Sequence, residues 1–206
     1  VLLCLFFLVE LNATPFYFKS YDMEDGLSNN HVTCCVQDDY GFMWFGTRDG
    51  LNRFDSKKFY TFKSYSSEKG SLMSSYILDL AKSPTGQIWV STNLGLQKYD
   101  YQTDSFTLID FTKGINCYSL QFDQQGNLWM ILNGYSLVKY NESQGMHLNY
   151  MYKGSDPITS FYITPQDQIW ATTANGNVVF LDDDKNEFIA LDIKNLDKNH
   201  PIDDMT

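Results

Sequence analysis

Three observations predict an all-β fold built of repeated four-stranded blades. All four tryptophans, Trp44, Trp89, Trp129 and Trp170, fall in one recurring pattern at spacings of 45, 40 and 41 residues. Gly41, Gly86 and Gly126 each precede their tryptophan by three residues, and Asp167 takes that place in the last copy. Composition agrees: 15 Phe and 14 Tyr against 5 Pro, with no long Leu/Ala/Glu/Lys stretches in 206 residues, favour strands over helices. Propeller blades repeat at roughly 40 to 50 residues, so this period predicts β-propeller blades.

The elements of the first copy follow in order. "HVTCCVQ" reads as a strand, "DDYG" as a turn, "FMWFGT" as a second strand and "RDG" as a second turn. "LNRF" is then a third strand, "DSKK" a turn and "FYTF" a fourth strand. The runs "SPTGQIWVSTNLGLQKYD", "DQQGNLWMILNGYSLVKYN" and "PQDQIWATTANGNVVFLD" supply second and third strands of three more blades, and "FTLI", "HLNY" and "FIAL" supply their fourth strands. The boundaries predicted are 31–75, 76–116, 117–158 and 159–206, the last including the start of the next connection. Residues 14–30 form a lead-in holding an early strand, "FYFKSY", Phe16 to Tyr21.

Second strands such as "FMWF" and "QIWV" are apolar on both faces, as a blade sandwiched between two others requires. Each tryptophan is therefore a spacer between neighbouring blades. Its burial removes about 150 to 250 Å² from water, at most ~4 to 6 kcal/mol. The glycines are turn chemistry. Four blades in a row share three interfaces and leave two blade faces open, so the repeat predicts the front part of a longer protein.

The first nine residues, "VLLCLFFLV", are too short to span a bilayer and have the length of a signal-peptide hydrophobic region, with cleavage near Ala13. An uncleaved anchor is the competing reading of residues 1–13, and both imply export. Cys34, Cys35 and Cys117 read as small buried hydrophobes, with a bond from Cys117 to Cys34 or Cys35 as the alternative. The net charge of −10 carries no basic cluster and argues against nucleic-acid binding.

The run "DGLSNNHVTCCVQDDYGFMWFGTRDGLNRFDSKKFYTF", Asp25 to Phe62, resembles the first blade of the two-component regulator propellers, because "GLSNN", "WFGT" and "GLNRFD" occur together. The resemblance covers residues 16–206, although the third and fourth copies lack the Gly-Thr and Gly-Leu pairs. It implies the N-terminal periplasmic sensor part of a Bacteroidetes hybrid two-component protein, with these blades an incomplete part of a roughly seven-bladed propeller. The same resemblance implies a parent carrying a membrane helix, a histidine kinase, a receiver and a DNA-binding domain. Its implied partners are an oligosaccharide and the remaining blades, and the parent could pair as a homodimer. The signal would control polysaccharide utilisation genes.

Catalytic templates are not met. "GTRDG" lacks the Lys-Ser/Thr of a P-loop, no GxGxxG opens a helix and there is no GxSxG elbow. His31, His147 and His200 are too scattered for a metal site read from spacing, and "DDDKNE" departs from a calcium loop at Glu187 and Ile193. The segment is expected to bind rather than catalyse, without cofactor or metal. The loops from second to third strand, and from fourth strand to the next blade, open on one side of a propeller. They carry Asn29, Asn30, His31, Arg48, Asp49, Asn93, Asn133, Tyr135, Asn175 and Asn177. Their amides and charges suit sugar hydroxyls and Tyr135 suits a sugar ring, whereas Asn and Asp also serve ordinary turns. The alternatives are an exported propeller enzyme similar to the streptogramin lyases, with His147 and Glu142 as the acid–base groups nearest to hand, and a propeller used only for protein contacts.

Overall fold

The computed structural model describes residues 17–65, 68–182 and 185–191. The leader segment 1–13, Cys4, Phe16 and the tail 192–206 lie outside the described residues. Sixteen strands form four separate four-stranded antiparallel sheets, each from one contiguous stretch of chain. Blade 1 comprises β1 (Val32–Gln37), β2 (Met43–Thr47), β3 (Gly50–Phe54) and β4 (Phe59–Phe62). Blade 2 comprises β5 (Ile77–Lys82), β6 (Ile88–Thr92), β7 (Gly95–Asp100) and β8 (Ser105–Leu108). Blade 3 comprises β9 (Cys117–Phe122), β10 (Leu128–Leu132), β11 (Ser136–Asn141) and β12 (Met146–Met151). Blade 4 comprises β13 (Ile158–Ile163), β14 (Ile169–Thr173), β15 (Val178–Asp182) and β16 (Glu187–Ala190).

Two features of the chain differ from the sequence expectation. β13 opens at Ile158, the last residue assigned by sequence to blade 3. Residues 17–21 form no strand; Tyr21 meets Phe54 and Phe59 edge-on, at ring separations of 4.9 and 5.8 Å.

The turn between first and second strands has a fixed geometry. Gly41, Gly86 and Gly126 have φ of 88°, 83° and 79°, and Asp167 has φ of 59°. The last copy can lose its glycine because aspartate is among the side chains that tolerate the left-handed region. Six residues before each tryptophan, Asp38 and Asp123 accept backbone N–H bonds of this turn, Asp38 from Tyr40 and Phe42 and Asp123 from Asn127. Ser83 and Thr164 do the same with a hydroxyl.

Strand alternation sends each tryptophan to the forward face of its blade and its two neighbours to the backward face. Trp44 thus packs with Ile77, Ile88, Val90, Tyr99 and Phe106 of blade 2, and Trp89 with Cys117, Leu128, Met130 and Tyr140 of blade 3. Trp129 packs with Ile158, Ile169, Ala171 and Leu181 of blade 4. These three are at most 4% exposed. Trp170 is half-buried on the outer face of blade 4. The innermost strands are stitched by polar bonds: Thr33 donates to the Ile77 carbonyl at 3.0 Å, Leu120 N–H to Asp79 at 2.6 Å, and Gln121 to the Phe161 carbonyl at 2.7 Å.

Candidate ligand-facing loops

At the end of the blades where β2 meets β3, the hairpins repeat one device. Thr47 Oγ1 accepts from Asp49 N–H at 3.1 Å and donates to the Gly50 carbonyl at 2.9 Å. Thr92 makes the same pair with Leu94 and Gly95, at 3.1 and 3.0 Å. The threonine of "WFGT" and "VST" therefore closes the turn and projects the two residues after it. The glycine before Thr47 has a different cause: a Cβ on Gly46 would lie 2.5 Å from Cys34 Sγ and 2.6 Å from Ile77 Cγ2.

The interblade connection is anchored by a buried amide in the third strand. Asn52 accepts from Ser28 N–H at 2.9 Å and Gln97 accepts from Met73 N–H at 2.7 Å, so "GLSNN" and "SLMSS" are held alike. Each connection then delivers one residue, His31, Tyr76, Asn116 or Pro157, to the same end, just ahead of the first strand. The carbonyl of His31 accepts from Arg48 N–H at 3.3 Å, locking connection to hairpin.

All ten candidate ligand residues lie at this end, and the structure divides them. Asn30 is spent locally, its side-chain oxygen accepting from Met23 N–H at 2.9 Å, as Asn29 accepts from His31 N–H at 2.8 Å. Asp49 is exposed and ion-paired with Lys63 at 2.7 Å. Asn175 and Asn177 turn to Asp156, whose carboxyl is held below its usual range first by Thr173 and Ser155 and then by these amides. Asn133 is exposed with a φ of 49° that makes it a turn residue first.

The rest are freer. His31 and Arg48 are exposed and make no side-chain hydrogen bond or ion pair among the described residues. Asn93 holds a buried side-chain oxygen without a partner among the described residues. Tyr135 is 42% exposed. Sequence reasoning missed Tyr76, 38% exposed, whose signal was its position equivalent to His31, one residue ahead of a first strand. It also missed Lys63, the partner of Asp49. The cavities beside Trp170, at the Ser83 turn, at Ser64 to Met73 and beside Phe54 and Phe59 are lined by other residues.

The groups named for other chemistry lie elsewhere. His147 sits on β12, the outermost strand of blade 3, with its ring stacked 4.0 Å from Phe111, and Glu142 pairs with Lys98. Asp182 and Lys185 of "DDDKNE" form an ion pair across their turn at 2.9 Å; Asp183 and Asp184 lie outside the described residues. Cys34, Cys35 and Cys117 are free thiols, Cys35 exposed and Cys117 buried. Burial pushes the Cys34 and Cys117 thiols up to about 12. Among the described residues no helix is long and apolar enough to cross a membrane.

Comparison with known proteins gives the family of the repeat. The family described as "Two component regulator propeller" matches residues 26–49, the connection and first two strands of blade 1. Histidine kinase P4 of Formosa agariphila is 46% identical over 67 residues, which are 32% of this chain and 5% of that protein. The extracellular domain of a putative hybrid two component system from B. thetaiotaomicron superposes with a TM-score of 0.75 at 23% identity, over 86% of this chain and 26% of that one. Virginiamycin B lyase from Staphylococcus aureus superposes with a TM-score of 0.60 at 12% identity, over 81% of this chain and 57% of the lyase. At these identities the two structures share the blade fold with this chain. The chain spans a small part of the kinase and about a quarter of the extracellular domain.

Proposed function

We propose, starting from a chain that carries a two-component regulator propeller repeat in its first blade, that these blades belong to the periplasmic sensor of a hybrid two-component signalling protein. The observation that carries this reading is the match of residues 26–49 to that family, on a blade whose geometry the next three repeat. The segment binds and transmits; phosphoryl chemistry belongs to other domains of the parent. Its partners are an oligosaccharide, the remaining blades and a second copy of the parent, and its output is the expression of polysaccharide utilisation genes.

Support for a saccharide comes from the loop end. Two half-exposed tyrosines, Tyr76 and Tyr135, offer ring faces, while the exposed side chains of Arg48 and His31 offer polar groups. That mixture suits a polyol with an apolar ring face. Calorimetry of the complete periplasmic domain against oligosaccharides tests it. Tyr135→Ala and Arg48→Ala are expected to weaken binding by about tenfold, ~1.4 kcal/mol, with the melting temperature unchanged. Absence of binding to any oligosaccharide would leave the protein-contact reading.

The superposition on virginiamycin B lyase favours one second reading, an exported lyase. A lyase needs a general base near the reacting bond. His147 and Glu142, the groups this reading relied on, are engaged at the outer strand with Phe111 and Lys98. Lactone cleavage by the full-length protein would restore it.

A further inference from the structure

At the end of the blades opposite the ligand-facing loops, the first turn of each blade meets the next blade, and the three seams are closed in different ways. Between blades 1 and 2 the seam is filled. The rings of Tyr40 and Tyr101 lie 5.0 Å apart, the Tyr101 hydroxyl donates to Asp38 at 3.0 Å, and Lys82 pairs with Asp39 at 2.5 Å. Between blades 3 and 4 the seam is stitched: Gln124 donates to the Pro165 carbonyl and Gln125 to the Asp167 carboxylate, both at 2.5 Å.

Between blades 2 and 3 the seam is open. Thr85 stands where blade 1 has Tyr40, four residues before the tryptophan, and Glu142 stands where blade 2 has Tyr101, three residues past the lysine that faces the tryptophan. Neither side chain fills the place of a ring. Among the described residues no hydrogen bond or ion pair joins the turn 83–86 to blade 3. What remains is a cavity of about 340 Å³ whose lining includes Ser83, Thr85, Phe122, Gln124, Gln125 and Glu142. Half-buried Phe122 is its apolar wall and meets the Trp89 ring at 6.2 Å. Trp89 supplies a second, independent sign. In blades 1 and 3 the indole N–H reaches a carboxylate six residues before it; in blade 2 that place is Ser83, in the cavity wall, and the buried Trp89 N–H has no partner among the described residues.

We propose that the seam between blades 2 and 3 binds a small molecule carrying a phenol ring, seated as the Tyr40 and Tyr101 rings are seated one seam away. The filled seam specifies the chemistry of the occupant: an aromatic ring at the blade edge whose hydroxyl is carried to the residue six before the tryptophan. In the open seam the ring lies on Phe122, and its oxygen is carried to Ser83, where the Trp89 N–H lacks an acceptor. At the rim the side-chain oxygens of Gln124 and Gln125 accept from further hydroxyls of the ligand. The Glu142–Lys98 pair at the rim is already neutralised and the chain carries a net charge of −10, so an anion is disfavoured and the ring is neutral. This site goes beyond the sensor reading and does not depend on it.

Indole N–H resonances of the 206-residue chain read the site, with the Trp89 signal identified by Trp89→Phe. The probe is para-cresol, which is expected to shift the Trp89 signal saturably and the other indoles little. Toluene, a ring of the same size without the hydroxyl, is expected to bind about fivefold more weakly. Thr85→Tyr and Glu142→Tyr together rebuild the filled seam and should weaken para-cresol binding by about tenfold or more. Ser83→Ala serves where the plugged chain does not fold, and about threefold weaker binding is expected of it. No saturable shift at Trp89, toluene binding as tightly as para-cresol, or affinity unchanged in the variants would each overturn the proposal. A methyl glucoside that shifts Trp89 where para-cresol does not would assign the cavity to a sugar and overturn it too. Oligosaccharide bound at the loops with no para-cresol at the seam fails this site alone, and the reverse fails the sensor reading alone.

Discussion

The indole N–H of Trp44 donates to the carboxylate of Asp38 at 2.8 Å, and the same bond joins Trp129 to Asp123 at 3.0 Å. In blade 2 the position six residues before the tryptophan is Ser83, too short to reach, and the buried indole N–H of Trp89 has no partner among the described residues. The carboxylate does two jobs in blades 1 and 3, closing the turn and satisfying the spacer. The serine of blade 2 does the first alone.

Ser83→Asp is accordingly expected to stabilise the protein. One recovered hydrogen bond to a buried donor contributes about 1 kcal/mol, or roughly 2 to 4 °C in a domain of this size. Lys98 stands opposite Trp89, as Lys139 stands opposite Trp129 and pairs with Asp123 at 3.3 Å, but Lys98 is already paired with Glu142, so the expected gain rests on the indole N–H alone. Asp38→Ala runs the other way, leaving the Trp44, Tyr40 and Phe42 donors to find new partners at a cost of about 1 to 3 kcal/mol. Thermal melts of the two variants check both signs.

Asp123 gives stability an acid limit. Burial raises its pKa, but hydrogen bonds from Asn127 and Trp129 and the charge of Lys139 outweigh burial and hold the carboxyl below its ordinary value. A carboxyl lowered by folding stabilises fully above its unfolded pKa of about 3.9, and the contribution fades as pH falls through the native value. Urea melts between neutral and acid pH should therefore show a shallower acid limb for Asp123→Asn than for the parent sequence. An unchanged limb would assign the acid sensitivity to other carboxylates.

Gly46→Ala tests close approach between blades 1 and 2. The added methyl meets Cys34 Sγ of its own blade and the Ile77 side chain of blade 2 at separations no real contact shows, so the thiol must turn and Ile77 must give way. A loss of about 1 to 3 kcal/mol is expected. Chemical denaturation measures it, and a neutral outcome would mean that blade 2 repacks freely around Ile77.

Thiol labelling should separate the three described cysteines. Cys35 is exposed, while Cys34 and Cys117 are pushed up to about 12 by burial, so at pH 8 a native-state alkylating reagent should mark Cys35 first. Peptide mapping reads the order, and unfolding in urea should bring the other two into reaction.

The blades were legible because a tryptophan every 40 to 45 residues and a left-handed turn three residues earlier are both backbone-level constraints that recur in sequence. Directionality was not legible. Alternation says that Trp44 faces away from Met43 and Phe45, but only the structure says which of two neighbouring blades the indole meets. At the loop end, the residue types that mark a sugar site are those that close turns. Asn30 and Asn175 proved to be turn and carboxylate partners because such bonds depend on where Met23 and Asp156 come to lie. Tyr76 escaped notice for a related reason: its place beside the hairpins is set by Gln97 holding Met73, a contact between residues 24 apart.

Among the described residues, every sheet is closed within one stretch of chain, first strand to fourth, with no strand lent to a neighbour. Pairing within a blade can therefore form as soon as that stretch has emerged during synthesis, before the next repeat exists, and the loops to be closed stay short. The emerging chain would then grow by accretion, each newly formed sheet capping the indole of the one before it. Under hydrogen exchange of the 206-residue chain by itself, blades 2 and 3, supported on both sides, should open last, and blades 1 and 4 should open first.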